Sequence, residues 1–207
     1  MKQDAMLLKG MVEATLVAHV LNDIKSYPVE RMRLQIVEGI FGDKHGGRTR
    51  VSDARETVLR AKFKLPDGIE IENVRQVSVT SREELNAIGT IMDCPGPIHA
   101  GCLGENIIIA GIPHLTQLPS GTLIHFKGKE RQRTAVIRVT GENLPCKGPG
   151  EEIQAAFHAG DINLHRRFVP AATGRRGVVA TIYCSGFVKP GDTALVYVPA
   201  QRIYRPE

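Results

Sequence analysis

Short β-branched and aliphatic runs, each closed by glycine or proline, dominate this 207-residue chain and limit what it can fold into. They are Ala14–Val20 (ATLVAHV), Arg31–Ile36 (RMRLQI), Val74–Thr80 (VRQVSVT), Ile107–Ile109, Thr122–Phe126 (TLIHF), Thr134–Thr140 (TAVIRVT), Val178–Tyr183 (VVATIY) and Thr193–Val198 (TALVYV). In the second of these Met32, Leu34 and Ile36 recur at every second residue, the period of a half-buried strand. Runs this short and this β-branched read as strands, and 21 Gly and 12 Pro supply the turns between them. Helical signals are few. Ser81 and Glu84 make an S-x-x-E capping box that opens a short helix, with Gly89 as its stop. Ile153, Ala156 and Phe157 fall at i, i+3 and i+4 in Glu151–Phe157, an amphipathic helix that Gly160 would end. Many strands and few helices predict a mainly β fold: a closed or nearly closed antiparallel β-barrel with a few short helices.

Hydrophobic residues at 42% and charged residues at 24% allow a sizeable core, so the chain reads as one folded domain over 1–207, with its core from about 13 to 199. No apolar stretch approaches the roughly 18 residues of a membrane span, and Asp4, Lys9 and Glu13 interrupt what a signal peptide needs unbroken. The expected location is therefore cytoplasmic. Cys94, Cys102, Cys146 and Cys184 are widely spaced and never form CxxC, which favours reduced thiols. The formal charge of +5 suggests an anionic ligand, or simply a soluble surface.

Three loops carry chemistry. Cys146 lies in Gly141-Glu-Asn-Leu-Pro-Cys-Lys-Gly-Pro-Gly150, directly after a predicted strand and beside Lys147. A neighbouring cation favours the thiolate, the form that binds soft metals or attacks sulfur, while the plainer reading is an inert, half-buried cysteine. The loop Gly42-Asp-Lys-His-Gly-Gly-Arg-Thr-Arg50 offers Lys44, His45, Arg48 and Arg50 to a phosphate, or is a solvated turn. It lacks Walker A spacing, which argues against a nucleotide triphosphatase. Gly174-Arg-Arg-Gly177 places Arg175 and Arg176 at a strand entrance, where planar forks suit phosphate or carboxylate. Asp43 either orients His45 or makes an Asx turn, and Glu105 and Asn106 either contact a ligand edge or cap a turn. His19 and His125 sit inside strand patterns and read as structural.

Two further readings come from the same residues. Cys94, His99 and Cys102 form a zinc-like ligand set if a fourth ligand such as His114 or Cys146 converges, though their spacing matches no zinc template. A basic barrel can also bind nucleic acid, but aromatic residues are only 5% and the basic residues cluster around glycine loops instead of interleaving with rings.

The G-x-F-G-D-K-H loop, Leu103-Gly-Glu-Asn-Ile107 followed by Ala110-Gly-Ile112, Leu118-Pro-Ser-Gly-Thr122, the Pro145-Cys146 pair, the GRRG turn and Val188-Lys-Pro-Gly-Asp192 occur in an order that resembles a MOSC domain, the module named for the C-terminus of molybdenum cofactor sulfurases. The resemblance runs from about Glu13 to Pro199. It implies a β-barrel that binds the molybdenum cofactor (molybdopterin), a pyranopterin with a dithiolene and a terminal phosphate. Cys146 stands at the Pro-Cys position, as molybdenum ligand or as carrier of persulfide sulfur. Gly42, Asp43, Lys44, His45, Arg48, Glu105, Asn106, Lys147, Arg175 and Arg176 are then the expected cofactor-binding residues. The implied activity is sulfur transfer to the cofactor or reduction of N-hydroxylated compounds. The implied partners are a separate sulfur donor of the cysteine desulfurase class or an electron-transfer protein, with a molybdoenzyme as possible recipient and no membrane. Within these 207 residues no pyridoxal-phosphate desulfurase, iron–sulfur module or extra N-terminal β domain is expected, and a partner is expected to supply that chemistry. The thiol-rich CPGPIHAGC segment and Lys147, where some relatives carry an aromatic, depart from the family pattern.

Overall fold

The computed structural model describes residues 2–128, 134–157 and 163–202. Among them seven strands close into a barrel: β1 (Met6–Val17), β2 (Val77–Ser81), β3 (Ile107–Ala110), β4 (Leu123–Lys127), β5 (Val136–Glu142), β6 (Val178–Cys184) and β7 (Thr193–Val198). The order around the barrel is β7-β4-β5-β6-β2-β3-β1, and β1 pairs with β7 from Met11↔Thr193 to Met6↔Val198 to close it. Closure leaves no long unpaired edge.

The predicted antiparallel barrel needs one correction. β2 and β3 pair in parallel, Val79 opposite Ile107 and Ser81 opposite Ile109, while the other barrel pairings among the described residues are antiparallel. The helix α2 (Arg82–Met92) between them explains this, because parallel neighbours need a crossover and the capping box starts one. Ser81 Oγ accepts the Glu84 N–H at 3.0 Å as the box requires. Glu84 itself turns away, and its carboxylate accepts the Thr116 N–H and hydroxyl at 3.0 and 2.9 Å. The helix runs past the expected stop at Gly89 and ends with Asp93 in the left-handed region.

Alternation along the strands makes two cores. Ile107 and Ile109 point into the barrel with Val12, Val79, Phe126, Ile137 and Val196, while Ile108 points outward. Ile108 and Leu16 pack there against Leu85, Ile88 and Met92 of α2, Ile153 of α3 (Lys147–Ala156) and Leu164 and Phe168 of α4 (Leu164–Ala172). A fourth helix, α1 (Thr57–Phe63), buries none of its residues. The strand expected over Ala14–Val20 instead ends at Val17, so His19 lies beyond it, against the Tyr27 ring at 4.8 Å. His125 stays within β4 and its Nε2 meets Thr134 Oγ1 at 2.9 Å. The helix expected over Glu151–Phe157 begins earlier, at Lys147, and the stop assigned to Gly160 lies outside the described residues.

The GRRG turn enters β6 through a close backbone approach. Gly174 and Gly177 both have positive φ, +70° and +85°, but a Cβ on Gly177 would lie 1.9 Å from the Val79 carbonyl oxygen, whereas one on Gly174 would meet nothing within 4 Å. Gly174→Ala should therefore cost only the left-handed penalty, roughly 1–2 kcal/mol. Gly177→Ala must also push β2 and β6 apart and should cost more than about 4 kcal/mol. Chemical denaturation of the two variants checks this, and equal losses would contradict it.

Candidate functional site

One end of the barrel gathers the loops that the sequence singled out. The chain leaves β5 through Asn143, Leu144 and Pro145 to Cys146, which is the N-cap residue of α3 with extended backbone (φ −132°, ψ 173°). Lys147-Gly-Pro reads as a turn, yet a helix tolerates proline in its first turn, where N–H groups have no helical partner anyway. The result is an exposed thiol at the N-terminus of a ten-residue helix, beside unpaired N–H groups and the positive end of the helix dipole.

A cavity of about 790 Å³ opens beside it. Of the expected site residues, Lys44, His45, Asn106, Cys146 and Arg176 line this cavity together. Arg50, Arg55 and Arg75 line it as well, with Asp53 and Asn143. The sequence reading had Arg50 in its basic loop but missed Arg55, Arg75, Asp53 and Asn143.

The charges in the cavity are unequally paired. Arg50 meets Glu56 with both terminal nitrogens, and Arg55 is bound by Asp53. Burial pushes the Asp53 carboxyl up, but the hydrogen bonds and charge of Arg55 and the charge of Arg50 outweigh it and hold the group at about 2. Arg176 is 8% exposed and among the described residues has only neutral acceptors: Asn143 Oδ1 and Leu144 O, both at 2.9 Å, and Leu103 O at 2.8 Å. Its Nε is buried with no acceptor among the described residues. Arg75 donates to the same Asn143 Oδ1 at 2.9 Å. Two guanidinium groups thus converge on one amide oxygen without a carboxylate between them. Burial, then repulsion from Arg55, Arg50 and Arg176, lowers Arg75 to about 10. Burial also lowers Arg176, opposed by Cys146 and Glu105. Planar forks left unbalanced in a partly dry site are what a phosphate or other oxyanion completes.

The loop after Ile40 forms a second wall. Asp43 has a fully buried carboxylate that accepts from Ala18 N, His45 N and Asn106 Nδ2, each at 2.8 Å, and contacts His45 Nδ1 at 3.0 Å. Burial pushes this carboxyl up, but the His45 ring, the His45 and Ala18 N–H groups and the His45 charge together hold it below the usual range. Asn106 also donates to Leu16 O at 3.2 Å and accepts from the Ser78 N–H and hydroxyl, both at 3.0 Å, so it ties this loop to β1 and β2. Lys44 Nζ donates to the carbonyls of Val20, at 3.1 Å, and Asp23.

The remaining expected residues stand outside the cavity walls. Glu105 accepts the Gly101 and Leu103 N–H groups at 2.7 and 3.0 Å and pins the turn before β3. Arg175 donates to the Ala171 and Thr173 carbonyls at the end of α4. Arg48 and Lys147 are exposed, and Gly42 is a turn residue with φ +80°. The proposed zinc set is not assembled: among the described residues no three His, Cys, Asp or Glu side chains group to hold a metal ion. His99 instead packs near Phe157 at 5.9 Å, and burial pushes the Cys102 thiol to about 11, with Glu105 adding to it. All four cysteines are free thiols. No helix among the described residues is long and apolar enough to cross a membrane.

Comparison with known proteins places this geometry in context. Residues 48–194 match the family model of the MOSC domain. The chain is 35% identical over 185 residues to YuaD of Bacillus subtilis (strain 168), covering 88% of this chain and 90% of YuaD, whose name assigns it provisionally to metal–sulfur cluster biosynthesis. The crystal structure of YuaD superposes with a TM-score of 0.83 at 32% identity, covering 94% of this chain and 98% of that one. A further solved structure, of a hypothetical protein, is similar in fold alone, with a TM-score of 0.52 at 15% identity over 96% of this chain and 71% of its own.

The cavity's charge makes a prediction about stability. A base whose folded value is lowered costs stability while it is charged, hence at neutral pH, and an anion beside it relieves that cost. Inorganic phosphate should raise Tm where chloride of equal ionic strength does not. At a hundredfold excess over Kd the gain is about 2.7 kcal/mol, roughly 5–10 °C for a chain of this size. Arg75→Met should lose most of the increment in a thermal melt. An unchanged increment would place phosphate elsewhere.

Proposed function

The chain belongs to the MOSC domain family, and on that premise we propose that it holds the molybdenum cofactor in the arginine-lined cavity and carries sulfur for it on Cys146. The observation that carries the reading is the place of Cys146: an exposed thiol at a helix N-terminus, on the wall of a cavity whose Arg75 and Arg176 have no carboxylate partner among the described residues. The residues fit such a group. The orphaned Nε of Arg176 and the shared acceptor of Arg75 and Arg176 suit a terminal phosphate, and the volume lies within the roughly 300–1,000 Å³ usual for small-molecule sites. When bound, the cofactor supplies a soft metal centre able to accept sulfur.

The chain's own residues do the rest. Cys146 stands at the N-terminus of α3, in a cavity lined also by the guanidinium groups of Arg55 and Arg176. The thiolate attacks the terminal sulfur of a donor persulfide. The Cys146 Sγ–S bond forms as the donor's S–S bond breaks, and the donor's inner sulfur departs with the electron pair of that bond. The sulfur moves as a neutral atom, so no external oxidant or reductant is needed. A cysteine desulfurase is the class of partner that presents such a persulfide, and the provisional assignment of YuaD to metal–sulfur cluster biosynthesis points the same way. Ligation of molybdenum by Cys146 in a reductase of N-hydroxylated compounds is the other role a soft thiolate supports, and it needs an electron-transfer partner. Exposure of the thiol favours carriage, since a carrier must meet a second protein.

Labelled cysteine and a cysteine desulfurase test the reading. The wild-type protein should acquire label that a thiol reductant releases, and Cys146→Ala should lose about all of it while melting at the wild-type temperature. Undiminished label in the variant would contradict the reading. Full molybdenum content in wild type, lost in the variant together with reduction of an N-hydroxylated substrate, would favour the ligand role.

A further inference from the structure

We propose that His45, oriented by Asp43, is the proton donor of the sulfur-transfer site, a role that rests on the reading of Cys146 as a sulfur carrier. Both His45 and Cys146 line the cavity. An ionised carboxylate only accepts hydrogen bonds, so the 3.0 Å contact between His45 Nδ1 and Asp43 Oδ1 requires the proton on Nδ1. That fixes the ring's tautomer and leaves Nε2 to exchange protons, with no partner for it among the described residues.

Asp43 is built to do this and little else. It is fully buried, and the N–H groups of Ala18, His45 and Asn106 occupy its remaining acceptor sites. The peptide carrying the ring is fixed from the other side, where Asn73 Nδ2 donates to His45 O at 2.8 Å and to Gly47 O at 3.1 Å. Gly46 sits so close to the Glu38 carbonyl that a Cβ would lie 2.5 Å from its oxygen. An Asx turn needs only the bond from His45 N, whereas the buried carboxylate also orients the imidazole. The groups that share the cavity with His45 are Lys44, the four arginines, Asp53 and the Cys146 thiol.

The step then balances. Cys146 thiolate attacks the outer sulfur of the donor persulfide, the donor's S–S bond breaks, and His45, reacting as the imidazolium, keeps Nδ1–H on Asp43 and passes its second proton from Nε2 to the departing sulfur, giving a neutral donor thiol and neutral imidazole. The imidazole regains its proton from solvent. Positioning belongs to Asp43, and proton transfer to His45.

A general acid matters most when the leaving group is poor. With glutathione persulfide as donor, His45→Gln should slow persulfide formation on Cys146 about 100-fold, in line with a roughly 10²–10⁴-fold general-acid contribution. With an aryl persulfide, whose thiolate leaves readily, the loss should be severalfold smaller, and free imidazole should restore part of the rate in His45→Ala. The phosphate-dependent rise in Tm should persist in both variants, since the arginines are untouched. A wild-type rate in His45→Gln, or equal losses with both donors and no rescue, would overturn the proposal while leaving Cys146 as carrier. Undiminished persulfide formation in Cys146→Ala, measured in parallel, would overturn the carrier reading and this inference together.

Discussion

The Arg176 guanidinium is the contact on which the rest of this site depends. Its two terminal nitrogens reach Asn143, Leu144 and Leu103, so one side chain joins the loop after β5, the turn before β3 and the entrance to β6. A buried cation satisfied only by neutral oxygens is costly, because its charge has left water without meeting an opposite one. The fold meets that cost through its core: the barrel interior and the helix-covered outer face hold the loops where the charge must sit. Arg75, on the same Asn143 oxygen, adds a second unbalanced charge. The geometry suits a ligand that brings its own negative charge. Cys146 follows Leu144 by two residues, so the loop that fixes the arginine also fixes the thiol.

The opposite wall is organised by negative charge that is fully satisfied. Asp43 is buried among four donors and holds His45, while Asn106 binds that carboxylate to strands β1 and β2. One wall is thus unfinished electrostatically and the other complete. This division separates binding from proton transfer: unpaired guanidinium groups await an anion, and a locked carboxylate dictates which ring nitrogen faces the cavity.

Much of the fold was legible because each barrel strand carried its own local signal. Thr193–Val198 appears residue for residue, and Ser81 caps α2 as its motif foretold, although Glu84 turns to Thr116 instead of completing the box. A helix between two strands also held the clue to their parallel pairing. Helix α4 was missed although Leu164, Phe168, Ala171 and Ala172 recur on one face, because Asn163 makes no capping bond and Pro170 interrupts the pattern. Helix α1 buries nothing and so left no apolar period to read. In the site, loops rich in glycine and charge pointed to Lys44, His45, Cys146 and Arg176. Arg55 and Arg75 are single guanidinium groups without local context, and it is the pairing of β6 with both β5 and β2 that brings Arg75 to Asn143, 68 residues away. Glu105 and Arg175 lie outside the cavity walls, where they pin a turn and a helix end with hydrogen bonds of the kind that would also suit a ligand.

In the proposed function Arg75 and Arg176 would hold the cofactor's anionic end, and Cys146 would meet its metal centre. The most direct measurement is anomalous diffraction at the molybdenum edge from crystals of the protein loaded with the cofactor. A molybdenum peak is expected in the cavity next to the Cys146 sulfur, with phosphate density between the two guanidinium groups. Molybdenum located outside the cavity, or phosphate density remote from both arginines, would contradict it.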